Sequence, residues 1–370
     1  MTGTFAFTAE HEALRNTVRR FLTERSPETE VRRLMETADG YDPTVWSLMA
    51  NQIGLQGLAL PEKYGGSGAG FVDLQIVLEE MGRALLCAPF LSSVVLAANA
   101  LLTSGDEAAC AEYLPGIAEG TTIATLAVTE ASGSWRADDV TVTADAQYRL
   151  TGEKLFVLDG HVADLLLVVA RTAAGPTLFA VDAGAEGVAR EPLGTLDATR
   201  KQARLVLDQT PARLIGEDGG AAGPLERTLD LAAAALAAEQ AGGARRTLEM
   251  AVEYAKVREQ FGRPIGSFQA IKHKCADMLL EVESSTSAAY AVGWAVDAGS
   301  VEVPVLAPLA KAYCSEAYTH CAAENIQIHG GIGFTWEHPA HLYFKRAKST
   351  EILFGNPRQH RALLADRLGI

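Results

Sequence analysis

Few stretches of this 370-residue chain have residue types and spacing that could do chemistry. In "VREQFGRPIGSFQ", Arg258 closes a helix-like run just before Gly262 and Pro264. A guanidinium there can meet a phosphate or pyrophosphate as a forked, permanent cation. It can also simply complement the negative end of a helix, and spacing alone favours that plainer role. The loops "GGSGAG" (65–70) and "HGGIGF" (329–334) carry glycines that could let backbone N–H groups cradle a phosphate. Neither ends in the Lys-Ser/Thr of a P-loop or follows a convincing strand, so turns between helices are expected. His329, His338 and His341 lack HExxH spacing, and no Cys or carboxylate sits at ligand spacing; structural histidines and no metal are predicted. "STEILFGNPRQHR" (349–361) begins like an amphipathic helix, breaks at Gly355 and Pro357, and offers one carboxylate, Glu351.

The elements that must position these residues fall into three blocks. Residues 1–120 read as helices, with Leu14, Val18 and Phe21 on one face of the first and Thr8 as its N-cap. A later run, "VDLQIVLEEMGRALLCAPFLSSVVLAANALL", is apolar enough to be buried on more than one side. Over 121–225 the pattern becomes short runs of Val, Thr, Leu and Phe separated by turns, which predicts a small antiparallel barrel or sandwich. From 226 to 370 the period is helical again, opening on one extended helix with two or three more after it. The expected class is therefore α+β: helices, a small β-domain, then a helical bundle.

Composition limits the partners. Lys plus Arg number 32 against 46 for Asp plus Glu, a net charge of -14, which argues against non-specific nucleic-acid binding. Five scattered cysteines without a CxxC pair suit a reducing cytosol. "MTGTFAFTAEHEALRNTVRRF" has no apolar core of a leader, and the Ala-rich run near 230–243 is too weak for a membrane span. A soluble, cytoplasmic protein is the expectation.

"LPEKYGGSG", "LAVTEASGS", "VREQFGRPIGSFQAIKHKCADM" and "IQIHGGIGFTWEHPAHLYFKRAK" together resemble, in order, blocks of the acyl-CoA dehydrogenase flavoenzymes, over nearly the whole chain. The resemblance implies N-terminal helices, a middle β-barrel and a C-terminal four-helix bundle that mediates oligomers. It implies FAD, an acyl-CoA substrate from fatty-acid or steroid side-chain catabolism, and electron-transfer flavoprotein as acceptor. In the family a glutamate removes the α-proton while hydride leaves the β-carbon for the flavin.

Carried over by position, Val128, Thr129, Gly133 and Ser134 match one half of the flavin site, in a segment one residue short and with Ala131 in place of the usual Pro. Phe156 and Leu158 fall in the next block, keeping a stacking surface but lacking the usual hydroxyl. The half supplied to a neighbour's flavin looks intact: Arg258, Phe261, Gln327, Gly330 and Gly331. Asn356 is placed with the cofactor residues as well.

The family's base usually precedes the glycine of the C-terminal block, where this chain has Phe354. The alternative position on the long helix holds Ala232, and Asp230 nearby points elsewhere on an ideal helix. Glu351 would lie one turn before Phe354 on the same face if the segment is helical, and a solvated surface charge is an equal reading. Three roles follow: a partner subunit beside an unlike acyl-CoA dehydrogenase chain, a homo-oligomeric enzyme with a displaced carboxylate, or a binding protein without flavin chemistry. The asymmetry between the two halves favours the first.

Overall fold

The computed structural model describes residues 6–370. The first five residues, which open the stretch read as lacking a leader, lie outside it. The chain divides into two compact units: Met1–Val31, Phe71–Leu86 and Ala233–Ile370 form one, Arg32–Gly70 and Cys87–Ala232 the other.

Helix α1 (Ala9–Arg25) starts as its sequence predicts. The Thr8 hydroxyl accepts the His11 N–H, and the His11 ring accepts the Thr8 N–H in return. Val18, Phe21 and Leu22 form its buried side, while Leu14 is half-buried. Short helices α2 (Glu28–Met35) and α3 (Pro43–Leu48) follow, the latter running into a π turn at Met49–Ile53. In the 65–70 loop, the N–H groups of Ser67, Gly68 and Ala69 donate to the carbonyls of Gly57, Leu60 and Leu58. Those donors are spent inside the chain, so this loop is the plain turn that was expected.

Helix α4 (Phe71–Ala84) is buried at every residue from Leu74 to Gly82. The apolar run does not continue as one helix. Leu85 takes a left-handed φ of 49°, and a π-helical segment, Leu91–Ala97, precedes α5 (Ala98–Ser104) and α6 (Glu107–Ala118).

In the second unit lie β1 (Ala124–Ala127), β2 (Thr143–Ala144), β3 (Arg149–Leu158), β4 (Leu165–Arg171), β5 (Pro176–Asp182), β6 (Val188–Leu193), β7 (Gln202–Pro211) and β8 (Arg213–Ile215). They form one sheet in the order β6-β7-β3-β2-β4-β5-β8, with β1 added against β4. This corrects the expected antiparallel barrel. The sheet is mixed, because β1 and β2 run parallel to β4, and no closed barrel forms among the described residues. Between β1 and β4 the chain makes a long excursion through β2 and β3, which returns it in its original direction, as a parallel pairing requires.

Helix α7 (Ala222–Val257) is one helix of 36 residues. After it come a hairpin, β9 (Glu259–Gln260) with β10 (Arg263–Pro264), then α8 (Gln269–Asp297), α9 (Val303–His329), α10 (Ala340–Ile352) and α11 (Pro357–Leu368). Four helices thus follow α7, one more than the upper expectation. Among the described residues no helix is long and apolar enough to cross a membrane.

In the first unit α4 and α7 cross backbone to backbone. A Cβ added at Gly242 would lie 1.9 Å from the Glu79 carbonyl oxygen, and one at Gly82 would lie 2.0 Å from that of Glu239. Neither carbonyl can yield without moving its helix. Gly242→Ala is therefore expected to cost about 1–3 kcal/mol by urea unfolding, the scale of overpacking in a close-packed interior.

Candidate functional site

The second unit carries the first set of candidate residues. Val128 and Thr129 leave β1 and are both buried. The Thr129 hydroxyl donates to the Leu155 carbonyl, and the Thr129 carbonyl accepts the Leu155 N–H at 2.9 Å. Gly133 closes a turn, its N–H donating to the Glu130 carbonyl at 2.8 Å with φ 68°. The Ser134 hydroxyl donates to the Asp139 carboxylate at 2.6 Å and accepts the Arg136 N–H at 3.2 Å. The hydroxyls of this segment are thus spent within the chain.

A bulge in β3 separates Phe156 from Leu158. The register against β7 shifts between Lys154 and Val157, and Phe156 adopts a left-handed φ of 59°. Phe156 is left 42% exposed while Leu158 is only 2% exposed, its carbonyl accepting the Thr125 hydroxyl at 2.6 Å. Of the two residues expected to offer a stacking surface, only Phe156 reaches the surface of its unit.

Sequence reasoning missed what anchors this segment. Lys154 is fully buried; its ammonium donates to the Val128 carbonyl at 2.9 Å and to Glu130 Oε1 at 2.8 Å. Glu130 also accepts the N–H groups of Thr141 and Val142. Burial pushes Lys154 down to about 8, opposed by its bond to Glu130. Burial works against the Glu130 carboxylate too, but its hydrogen bonds from Lys154, Thr141 and Val142 outweigh burial and hold it below its ordinary value. The only sequence signal was a lysine in the middle of a strand otherwise rich in inward-facing apolar residues.

The second set sits in the first unit and is presented outward. Arg258 follows the end of α7, and β9–β10 turn through Phe261 (φ 55°) and Gly262 (φ 74°). Two successive left-handed residues make a type I′ hairpin, the turn whose twist matches paired strands. Phe261 is 92% exposed at its tip. At the base, Arg263 lies over the Phe268 ring, 4.1 Å from its centroid. Arg258 is exposed and makes no ion pair among the described residues. On α9, Gln327 is exposed near the helix end, and Gly330 and Gly331 follow, exposed in a 3₁₀ turn. Gly330 has φ 63° and ψ -139°, a combination open only to glycine. At Gly331 an added Cβ would meet nothing within 4 Å, so no contact inside the chain calls for glycine there. An unpaired guanidinium, an exposed amide and two glycines with open faces fit a pyrophosphate-bearing group approaching from outside the chain.

His329 is buried, its ring stacked on Tyr254 at 4.3 Å and tilted against His338 at 4.2 Å, with Nδ1 on the Asn325 carbonyl at 2.8 Å.

The two positions that the resemblance assigns to a base hold no carboxylate. Ala232 is fully buried in α7, and Phe354 is 6% exposed with a left-handed φ of 62°. Helix α10 ends at Ile352 and Leu353 is extended, so the condition attached to Glu351, a helix running on through Phe354, does not hold. The Glu351 carboxylate instead bonds Lys348 at 2.5 Å and the Thr319 hydroxyl at 2.9 Å. Asp230 is buried within its unit. Asn356 caps α11, its Oδ1 accepting the Gln359 N–H at 3.0 Å and its backbone N–H donating to Gln359 Oε1 at 2.8 Å, and among the described residues its side-chain Nδ2 has no hydrogen-bond acceptor.

His360 of α11 packs beside Gly355, its Nε2 3.2 Å from where a Cβ there would stand. Burial, reinforced by the Lys311 charge, pushes its pKa down to about 3. The unfolded chain therefore takes up a proton near the ordinary histidine value, about 6.5, while the folded chain does not until about 3, and stability falls as pH drops through that window. Between pH 7 and 5, His360→Gln is expected to lose about 2 kcal/mol less than the unmodified protein, measured by urea unfolding at both pH values.

The family models of the acyl-CoA dehydrogenase N-terminal and C-terminal domains match residues 8–121 and 220–369. The acyl-CoA dehydrogenase IpdE2 of Mycolicibacterium smegmatis is 37% identical over 350 residues, covering 95% of this chain and 96% of the relative. Among solved structures, a variant of the Tcur3481-Tcur3483 steroid ACAD is 34% identical with a TM-score of 0.89, over 97% of this chain and 98% of that one. The ChsE4-ChsE5 complex from Mycobacterium tuberculosis is 30% identical with a TM-score of 0.90, over 99% of both chains.

Proposed function

The chain belongs to the acyl-CoA dehydrogenase family, and from that premise we propose that it is the base-lacking partner subunit of an unlike pair that desaturates an acyl-CoA thioester. The observation that carries the reading is an asymmetry. Arg258, Phe261, Gln327, Gly330 and Gly331 are all exposed, and Arg258 makes no ion pair among the described residues, whereas the hydroxyls of Thr129 and Ser134 are used internally and Leu158 is buried. A subunit that serves a neighbour's flavin needs the first set and can dispense with the second.

FAD, when bound, accepts the hydride that leaves the β-carbon of the substrate. This chain's own residues would act on the cofactor's other end. Arg258 would pair with the pyrophosphate, Gln327 would hydrogen-bond the dinucleotide, and Gly330 and Gly331 would let its backbone come close. Abstraction of the α-proton needs a carboxylate within reach of it, and neither Phe354 nor Ala232 is one. The proton must then go to a carboxylate of the unlike subunit.

The substrate proposed is a ring-bearing, steroid-derived acyl-CoA. Support comes from the steroid ACAD at 34% identity. An electron-transfer flavoprotein is the acceptor proposed, and the cytoplasm the location.

Turnover tests the reading. Alone, the chain is expected to reduce no artificial electron acceptor with any acyl-CoA. Mixed with the unlike subunit it gains activity, and Glu351→Gln leaves that activity unchanged. Turnover by the chain alone, abolished by Glu351→Gln, would instead mean a homo-oligomeric enzyme with a displaced base.

A further inference from the structure

One buried charge of the first unit has no part in this account. Lys311, on α9, is fully buried. Its ammonium makes no ion pair among the described residues. It donates instead to three oxygens: Ser315 Oγ at 2.9 Å, the Glu351 carbonyl at 3.2 Å and the Gly355 carbonyl at 3.3 Å. Three donors meet three acceptors, so the group is satisfied, but a buried ammonium without a counter-ion is costly. Burial pushes Lys311 down to about 7, only partly offset by Cys314 and Glu351.

The groups packed around it come from α7, α9, α10 and α11. From its own helix come Cys314 and Ser315, the latter held by Gln240 of α7 at 3.0 Å. From α10 comes Glu351, whose carboxylate is already engaged by Lys348 and Thr319. From α11 comes His360. None of these is a free anion, and the ammonium is left to bind backbone.

The two carbonyls it binds lie on either side of Phe354. Between them the chain leaves α10, takes φ 62° at Phe354 and φ 111° at Gly355, and enters α11 at the Asn356 cap. A left-handed phenylalanine is strained and persists only where surrounding contacts fix it. Lys311 fixes it from both ends.

We propose that Lys311 is a positioning residue: by bridging the Glu351 and Gly355 carbonyls it holds the strained 351–355 turn in the shape that presents the Asn356 amide to the cofactor. The proposal rests on the functional reading above and on Asn356 being a cofactor residue, as the sequence resemblance implies.

The test is the FAD dissociation constant of whichever assembly carries the flavin, measured well below its melting temperature in Lys311→Met and Lys311→Gln. The Gln variant keeps an amide donor without the charge. The expected result is affinity weakened at least tenfold by Met and less by Gln, in assemblies of unchanged subunit composition. If the Met variant does not fold, the Gln variant decides, with a weakening of several-fold expected. FAD affinity within twofold of the unmodified assembly, accompanied only by a lower melting temperature, would overturn the proposal and leave Lys311 a helix-end cap. Failure of the functional reading would show differently, as one FAD per chain in the unmodified protein alone; the same titration then applies to the homomeric protein.

Discussion

Replacing Arg346 with Met is expected to destabilise the protein by about 3–5 kcal/mol, the loss seen when one member of a buried ion pair is removed. Arg346 of α10 is 1% exposed, and its Nη1 donates to Glu239 Oε1 of α7 at 3.0 Å; Glu239 is itself 4% exposed. Methionine fills much of the arginine's volume but leaves the Glu239 carboxylate in the interior without this cation. Glu239 also lies where α4 packs backbone to backbone on α7 at Gly82, so it has no room to swing to solvent. Urea unfolding of Arg346→Met, Glu239→Leu and the double variant separates the terms. The double variant is expected to recover much of the loss, because the buried carboxylate is then gone as well. A single-variant loss under about 1 kcal/mol would mean that water reaches the site.

The second large effect is on binding rather than stability. Phe261→Gly is expected to leave the isolated chain as stable as before, or more stable by about 1 kcal/mol, since glycine occupies a left-handed turn position without strain. Phe261 is 92% exposed at φ 55°, so the chain alone gains little from the ring. An exposed aromatic in a strained conformation calls for a contact outside the chain. In the assembly with the unlike subunit, Phe261→Gly is expected to lower bound flavin at least tenfold at fixed FAD. Arg258→Ala should do the same, with a weaker dependence of FAD affinity on salt, because a charge pair has been removed. Unchanged flavin content in both variants would favour a binding protein without flavin chemistry.

Much of the architecture was legible because it is written in local patterns. The Thr8 cap and the 36-residue α7 follow from capping chemistry and a 3.6-residue period. The exposed set is legible for a related reason. The Phe261-Gly262 turn and Gly330-Gly331 use glycine chemistry that stays local in sequence.

What escaped depends on partners far along the chain. The parallel pairing of β1 with β4 joins Leu126 to Leu167 across the whole excursion through β3, and nothing in either strand's own pattern records its direction. The bulge in β3 leaves Phe156 exposed while Leu158 is buried, and a register shift against β7 is not marked in the strand's own residues. Helix α10 stops at Ile352, just before the break at Gly355 that the sequence marks, but nothing in the stretch itself records that Lys311 donates to the carbonyls on each side of Phe354. Buried lysines are the hardest to foresee. Lys154 and Lys311 each need oxygen acceptors from segments about 25 and 40 residues away, which local pattern does not reveal.

The central claim is that this chain serves a flavin it does not hold alone. It is tested most directly by the visible absorption spectrum of the protein purified by itself, with FAD counted per chain. A colourless protein that gains flavin only when purified with an unlike acyl-CoA dehydrogenase subunit is expected. A yellow protein with close to one FAD per chain would contradict it.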